Sequence, residues 1–199
     1  MRCFLLTIML FVAIVPDVFA INPPGTKKVK LDNETLYIDQ NEICIADWLE
    51  YIKSIEHSYG KNSEEFKSTL PAGIDSKEAL VKIKLTKSIT GITLEQAQKY
   101  CEWRTLVVNS VNEESGIGDV KYTIPTEQQY AKLIKTFGSY EILSDKNKTE
   151  RITGLQSSVY ELTAEGSVLK NNGIFSNEET IPSENIGFRC IATIIKQKK

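Results

Sequence analysis

The clearest pattern along the chain is a set of apolar residues at helical spacing within residues 45–55. They fall at intervals of three and four positions: Ile45, Trp48, Leu49, Ile52 and Ile55. This spacing places them on one stripe and predicts an amphipathic helix. The next stretch, residues 56–75, is polar and contains Gly60, Pro71 and Gly73, so we expect a loop or an irregular insertion there.

Two further helices are predicted from the residues at their first turns. Thr93 is followed three positions later by Gln96, and Thr126 is followed in the same way by Gln129. Both pairs fit a capping box, in which the threonine caps the helix and the glutamine reaches back to the amide of the threonine. Pro125 directly precedes Thr126 and ends the strand before it.

The strands are predicted from alternation and from β-forming residues. Residues 79–85 alternate apolar Val81, Ile83 and Leu85 with lysines, which is typical of a half-buried strand. Residues 21–32 are polar and contain Pro and Gly, so we expect an irregular lead-in. Shorter strands are predicted at residues 35–38, 122–124, 158–162, 167–169 and 187–195. Helices come early and strands late, which favours an α+β fold with an antiparallel sheet over alternating βαβ units.

Composition and charge narrow the class of protein. The chain has 199 residues, of which 41% are hydrophobic and 25% charged, as in an ordinary globular domain. It carries 24 basic and 26 acidic residues, for a net charge of −2. This balance argues against a polybasic binder of nucleic acid. His57 is the single histidine, which argues against a metal centre built from several histidines.

The first twenty residues have the features of a secretory signal peptide. Arg2 precedes an apolar run over residues 4–15, and Ala20 supplies the small residue before the expected cleavage site. The run is too short for a membrane span, which needs about 20 residues. We therefore expect residues 1–20 to be removed and residues 21–199 to form one exported domain without a membrane span. Periplasm, cell surface and medium remain open.

Cysteine usage fits an exported protein. Removal of Cys3 with the signal leaves Cys44, Cys101 and Cys190. In an oxidising compartment two of these are expected to pair, leaving one over. For Cys44 we weigh a reactive or intermolecularly paired thiol against a small buried residue near the start of the first helix, and prefer the latter.

Five segments in sequence order resemble one family, the formylglycine-generating enzymes, also called sulfatase-modifying factors. They are residues 37–43 (YIDQNEI), 92–103 (ITLEQAQKYCEW), 122–130 (YTIPTEQQY), 159–163 (VYELT) and 185–190 (NIGFRC). The resemblance covers about residues 24–194. It implies the variant of the C-type-lectin-like fold found in that family: an α+β domain with short helices packed on small antiparallel sheets and with long loops.

The resemblance implies a structural role for its motif residues. It implies a disulfide between Cys101 and Cys190, which would close a loop of about 90 residues and contribute about 3–4 kcal/mol. The other motif residues are Thr93, Trp103, Pro125, Thr126, Glu127, Glu161, Gly187, Phe188 and Arg189.

Physical chemistry gives some of these motif residues individual roles. Arg189 is expected to pair with a carboxylate, either Glu127 or Glu161, and Gly187 to permit close backbone approach or a bulge ahead of the strand. Three large aromatic residues are expected in the core: Trp48, Trp103 and Tyr160.

The chemistry of the family is incomplete in this chain. Its enzymes hold copper between two cysteines ahead of the last motif, but no cysteine lies between Glu161 and Ile186. A second branch holds iron with several histidines, and His57 stands alone. Ser158 replaces an asparagine that helps the family to bind calcium, so calcium has weak support. We expect no cofactor and no catalytic residues of the family type.

These observations favour a non-catalytic binding or scaffold module in a bacterial envelope or surface complex. Its partner would be an envelope or surface protein or a carbohydrate, recognised by loops such as residues 56–75, 112–119 and 171–182. The alternative is an enzyme of another mechanism, with Asp119, Glu127 and Glu161 as candidate carboxylates. A deep polar pocket with converging carboxylates would favour the enzyme. A large exposed apolar patch would favour a structural subunit.

Overall fold

The computed structural model describes residues 22–31, 34–111, 118–137, 152, 159–170, 173, 175–176 and 183–196. The elements within these ranges are, in chain order, β1 (Thr26–Leu31), β2 (Glu34–Asp39), α1 (Ile45–Tyr59), α2 (Glu64–Lys67), α3 (Lys77–Val81), α4 (Leu94–Val111), β3 (Asp119–Thr123), α5 (Glu127–Phe137), β4 (Tyr160–Leu162), β5 (Val168–Leu169), β6 (Phe175–Ser176), β7 (Ile186–Gly187) and β8 (Ile191–Lys196). The general α+β class is confirmed. The signal-peptide segment lies outside the described residues.

One sheet joins the two ends of the domain in the order β1-β2-β8-β3, and all its pairs are antiparallel. Its first strand corrects the expectation of an irregular lead-in over residues 21–32. Val29 and Leu31 alternate with exposed Lys28 and Lys30, so the segment has one apolar side. Pairing with β2 then supplies the backbone partners that an isolated polar segment lacks.

The second sheet has the order β6-β5-β4-β7 and is mixed. β4 pairs with β5 antiparallel but with β7 parallel, through Tyr160 opposite Ile186 and Glu161 opposite Gly187. The expectation of purely antiparallel sheets therefore needs correction. A parallel pair requires a long connection between its strands, and the chain between β4 and β7 is long enough to supply it.

Two expectations for residues 56–85 are wrong. Residues 56–59 complete α1, and the expected loop contains α2, whose Ser63 hydroxyl accepts a bond from the amide of Phe66 at 3.0 Å. Residues 79–85 do not form a strand, because α3 begins beside the Ser76 N-cap and buries Leu80. The N-cap and the buried leucine outweigh an alternation of only three apolar positions.

Both predicted capping boxes are present. At α4, the amide of Gln96 donates to the Thr93 hydroxyl at 3.1 Å, and the Thr93 amide donates to the Gln96 side chain at 2.8 Å. At α5, Thr126 and Gln129 exchange the same two bonds at 2.9 and 3.1 Å. Both helices therefore begin where the sequence predicts, because the bonds that define their starts span only three residues.

An aromatic cluster joins α1, α4 and the segment before β8. Trp48 is fully buried, stacks on Tyr100 with ring centroids 5.5 Å apart, and meets the edge of Phe188 at 6.0 Å. Tyr51 and Trp103 extend the cluster toward the surface, with ring centroids 5.4 Å apart. The expected core role of Trp48 is thus observed, the motif residue Phe188 is also buried, and the cluster fixes α1 against α4.

Side chains of α4 cover the outer edge of β3. The Asn109 side chain exchanges two bonds of 2.9 Å with the amide and carbonyl of Val120. The Thr105 hydroxyl accepts a bond from the Tyr122 amide, also at 2.9 Å. These bonds satisfy backbone groups that an edge strand would otherwise leave unpaired. Across the described ranges, no helix is both long and apolar enough to cross a membrane.

Candidate functional site

A cleft of about 690 Å³ opens beside the start of α1. One wall is the segment from Asp39 to Cys44, and the facing wall is the α4 surface with Tyr100, Trp103 and Arg104. Thr86, Ser88, Pro24 and Gly25 also line it. We call this the polar cleft. Its volume lies within the range of small-molecule binding sites, about 300–1,000 Å³.

Backbone bonds hold the walls of the polar cleft in place. The Ile43 amide donates to the carbonyl of Phe188 at 2.9 Å, and the Ile43 carbonyl accepts a bond from Ile89 at 2.8 Å. The Ile45 amide donates to Lys87 at 2.9 Å. The segment before α1 is thereby tied to two other segments. The cleft is formed before any ligand enters, which reduces the entropy cost of binding.

A buried ion pair lies at the base of the polar cleft. Arg104 donates to both oxygens of Asp39 at 2.8 and 2.9 Å, and the Cys190 amide donates to the same carboxylate at 2.9 Å. Burial raises the pKa of Asp39, while Arg104 acts in the opposite direction. Burial opposes the charge of Arg104, but Asp39 outweighs it and keeps the pKa of Arg104 above its ordinary value. The Asp39 carboxylate and the Arg104 guanidinium therefore bind each other as an ion pair.

Cys44 stands at the N-cap of α1 and lines the polar cleft. Its amide donates to Asp47 Oδ2 at 3.1 Å, and its thiol donates to the same oxygen at 3.0 Å. Burial, followed by the bond to Asp47, raises the pKa of the Cys44 thiol. The side chain is half-buried, so the expectation of a buried residue is met only in part. The neutral thiol and its acidic neighbour disfavour nucleophilic chemistry.

Negative charge predominates around the polar cleft. Four carboxylates line it, from Asp39, Glu42, Asp47 and Glu50, against the single guanidinium of Arg104. Arg104 is bound to Asp39, and Glu50 is paired with Lys53 at 2.6 Å. Acidic side chains still outnumber basic ones in the lining, and this excess sets the sign of the field in the cleft. A cleft with walls of low dielectric concentrates that field and attracts cations.

Trp103 forms part of the α4 wall and carries an unsatisfied donor. Its indole Nε1 is buried and has no acceptor among the described residues. The ring packs against Tyr51 and Tyr100, with centroids 5.4 Å away in each case. The expectation of core packing therefore holds for one face of the ring, while the residue also lines the cleft. A buried donor without a partner costs about 1–3 kcal/mol.

A second cluster of charged side chains, centred on Glu161 of β4, is fully buried. Arg189 is 0% exposed and Glu161 1% exposed. Arg189 Nε and Nη2 donate to the two oxygens of Glu161, each at 2.6 Å, and the Tyr130 hydroxyl donates to Glu161 at 2.7 Å. Burial raises the pKa of Glu161 against the opposing effect of Arg189, and burial also raises the pKa of Tyr130. Of the two candidate partners of Arg189, the structure selects Glu161.

Glu127 has a different role at the start of α5. Its carboxylate accepts a bond from the Ser167 hydroxyl, and its amide donates to Glu165 at 3.0 Å. Pro125, which precedes the helix, is buried and accepts a bond from the Ala164 amide at 2.9 Å. The start of α5 is thus joined to the turn between β4 and β5. Neither Glu127 nor Glu161 lines the polar cleft.

Cys101 and Cys190 come together in the core. Both are buried, and their Sγ atoms lie 3.2 Å apart across 89 residues of sequence. The separation is that of two thiols in contact, since a disulfide bond is about 2.05 Å long. The structure therefore brings the predicted pair together without showing the bond, and the disulfide stays a prediction.

Gly187 makes the close approach that its motif predicts. A Cβ placed on it would lie 2.6 Å from the carbonyl oxygen of Ile89, which leaves no room for a side chain. Tyr160 is partly buried beside the core, and exposed Asp119 begins β3. His57 is exposed in the last turn of α1.

Of the three predicted recognition loops, only residues 56–75 lie wholly within the described residues. Residues 112–117 and most of residues 171–182 lie outside the described residues. The segment 56–75 lies away from the polar cleft, whose lining comes from other parts of the chain. Within the described ranges, no group of three or more histidine, cysteine or acidic side chains could hold a metal ion.

Sequence reasoning missed most of the residues that line the polar cleft. One usable signal was the spacing of Cys44 and Asp47, which matches a capping box with a thiol in place of a hydroxyl. A second was the spacing of Tyr100, Trp103 and Arg104, which places all three on one face of α4. No family model, curated protein or solved structure matches the chain.

Proposed function

We propose that this chain is an exported, non-catalytic binding module of the formylglycine-generating-enzyme-like fold, and that the polar cleft is its ligand site. The order of the motifs and the α+β architecture support the fold assignment. The absence of cysteines between Glu161 and Ile186 supports the loss of the copper chemistry. The observation that carries the function is a preformed acidic cleft whose one lining thiol is neutral and bound to Asp47.

The lining indicates the class of ligand. Carboxylates of Glu42, Asp47 and Glu50 favour a cationic group, and the hydroxyls of Thr86 and Ser88 suit a ligand with many hydroxyls. Tyr100 and Trp103 add aromatic surface to the α4 wall. An oligosaccharide with free amino groups meets all three requirements. We therefore infer that the module binds amine-bearing carbohydrate.

Isothermal titration with glucosamine oligosaccharides tests this inference, and their N-acetylated counterparts are the matched control. The two ligands share their stereochemistry and differ in the charge of the amine. We expect the free amines to bind and the acetylated ligand to bind at least tenfold more weakly, with affinity falling as salt is added. Equal affinity for both ligands, or no binding of either at millimolar concentration, would reject the inference.

Charge-neutral variants locate the site. Glu42→Gln and Glu50→Gln should each weaken binding by about threefold to fivefold, corresponding to up to about 1 kcal/mol for an exposed ionic contact. Glu64→Gln is the matched control, because Glu64 is exposed on α2 and does not line the cleft. If Glu64→Gln weakens binding as much as Glu42→Gln does, the ligand binds elsewhere.

One observation favours the alternative of an enzyme on the same fold: Glu42, Asp47 and Glu50 line the same concave site. The carboxylates first considered for catalysis, Glu127 and Glu161, are instead bonded to Ser167 and Arg189. Mass spectrometry of the oligosaccharide after incubation separates the two functions. A shortened or modified product would replace the binding proposal with the enzyme, and unchanged ligand would support binding.

Export is tested separately. The protein purified from an exporting host should begin at Ile21, directly after the expected cleavage site at Ala20. Determination of the N-terminal residue by mass spectrometry checks this. An intact Met1 in the exported fraction would contradict a cleaved signal.

A further inference from the structure

A second depression, of about 580 Å³, lies between the outer faces of α1 and α4. On α1 its lining recurs at four-residue spacing, through Tyr51, Ile55 and Tyr59, and on α4 it includes Trp103, Leu106 and Val107. These spacings place the lining residues of each helix on one continuous face, and that face borders the depression. We call it the helix groove. It is separate from the polar cleft except for Trp103, which lies in the wall between them.

The helix groove gathers exposed apolar surface. Leu106 is 72% exposed, Tyr59 59% and Val107 43%, and Val111, one turn beyond Val107, is 64% exposed. Tyr59, Leu106 and Val107 line the helix groove, and they are three of the seven strongly exposed large apolar side chains among the described residues. Scattered exposed apolar residues are normal, but a contiguous set between two helices marks an interaction surface.

The dimensions of the helix groove fit a third helix. Its α4 lining runs from Lys99 to Ser110, which is about 17 Å at 1.5 Å per residue and matches three helical turns. Ser54 and Ser58 on α1, together with Ser110, are small side chains that permit close approach of another backbone. Side chains of an amphipathic helix can insert into a groove that lies between the apolar stripes of two helices.

The charged side chains at the rim of the helix groove indicate which residues should flank the apolar stripe of the incoming helix. Glu65 and Glu102 are exposed at the helix groove. Lys99 is the single basic residue of the lining, and its ammonium is bound to Glu95 at 2.8 Å. The rim is therefore acidic overall. An incoming helix with lysine or arginine beside its apolar stripe would meet complementary charge, whereas an acidic helix would be repelled.

We propose that the helix groove docks an amphipathic helix of another protein, with an apolar stripe of about three turns and basic flanks. The occupant is a polypeptide that packs on Leu106 and Val107 and places its cations near Glu65 and Glu102. This surface gives the module a protein partner in addition to the ligand of the polar cleft. Neither site requires the other to be occupied.

The test uses the full mature chain and two synthetic helical peptides. Both carry leucine at positions i, i+3, i+4, i+7, i+8 and i+11 and differ in their flanks, which are lysine in one and glutamate in the other. Fluorescence anisotropy of labelled peptide measures affinity, and Trp103 emission reports contact at the groove. We expect a Kd on the order of 10 μM for the lysine peptide and at least tenfold weaker binding of the glutamate peptide.

Substitutions assign the binding to the helix groove. Leu106→Ser should weaken binding of the lysine peptide at least tenfold, and the control Val81→Ser, at another exposed apolar position, on α3 and outside the groove, should leave it unchanged. Glu102→Lys should shift the preference toward the glutamate peptide. Circular dichroism confirms that each variant is folded, since all three positions are exposed.

Several outcomes would overturn the proposal. They are equal affinity for the two peptides, no effect of Leu106→Ser on binding, and no binding of either peptide at 1 mM. A further contradicting outcome would come from light scattering. If the free protein is a dimer and Leu106→Ser makes it a monomer, the surface binds a second copy of this chain. None of these outcomes bears on the oligosaccharide titration.

Discussion

The buried pair of Glu161 and Arg189 allows the sharpest test of the structure. Glu161→Gln keeps the shape of the side chain but removes its charge, which takes away the carboxylate that accepts two bonds from the Arg189 guanidinium at 0% exposure. Both N–O contacts of the pair measure 2.6 Å. Breaking one side of such a pair costs about 3–5 kcal/mol, because the remaining charge stays buried. This is a large share of the stability of a domain, about 5–15 kcal/mol.

Glu127→Gln is the matched control, because Glu127 was the other candidate partner of Arg189. Its carboxylate is half-buried and bonded to the Ser167 hydroxyl, so its replacement should cost about 1 kcal/mol. Tyr130→Phe removes one hydroxyl bond to the Glu161 carboxylate and should cost about 1.5–3 kcal/mol. The three variants are therefore expected to follow the order Glu161→Gln, Tyr130→Phe, Glu127→Gln.

Equilibrium unfolding in urea, followed by tryptophan fluorescence and circular dichroism, measures these free energies. A double variant of Glu161→Gln with Arg189→Met completes a cycle. It should cost less than the sum of its single variants, since it removes both members of the Glu161–Arg189 pair together. A loss below about 1 kcal/mol for Glu161→Gln, or an equal loss for Glu127→Gln, would refute the assignment of the ion pair.

Three further predictions concern other parts of the molecule. In the exported protein, alkylation of the denatured, non-reduced chain should modify Cys44 alone; labelling of Cys101 or Cys190 in a mass spectrum would contradict the disulfide. Gly187→Ala should lower the unfolding free energy by about 1–3 kcal/mol, because its Cβ would lie 2.6 Å from a backbone carbonyl oxygen; an unchanged urea midpoint would argue against the close approach. Burial, followed by nearby charge, raises the pKa of Tyr51 from 10.0 to about 12, so its contribution to stability is complete below pH 10 and is lost between pH 10 and 12. Near-ultraviolet absorbance of tyrosinate measures the ionisation of tyrosine in the folded protein. If every tyrosine of the folded protein has lost its proton by pH 10, the raised pKa of Tyr51 is contradicted.

Local patterns predicted the parts of the fold that depend on neighbouring residues. The starts of α4 and α5 followed from Thr93 and Thr126, because a capping box closes within three positions. The stripe in α1 followed from the period of its apolar residues. Residues 79–85 show where such reasoning fails, since a short alternation was outweighed by the Ser76 cap and by burial of Leu80.

The candidate site was much less accessible to the same reasoning. The polar cleft depends on Asp39 and Arg104, which are 65 positions apart and show no pattern that links them. Arg189 was expected to find a carboxylate, but its charge alone could not select Glu161 over Glu127. The acidic surface and the unsatisfied donor of Trp103 arise from the way α1 packs against α4.

The sequence by itself determined the α+β class and two helix starts, because these follow from spacing along the chain and from residue chemistry, while the candidate cysteine pair was implied by the family resemblance. Tertiary structure alone decided the parallel pairing of β4 with β7, the partner of Arg189, and the two concave surfaces beside α4. The physical reason is the distance along the chain between the residues that interact. Hydrogen bonds within one turn are encoded by adjacent residues, whereas a cleft or a buried ion pair forms only when distant segments have packed together.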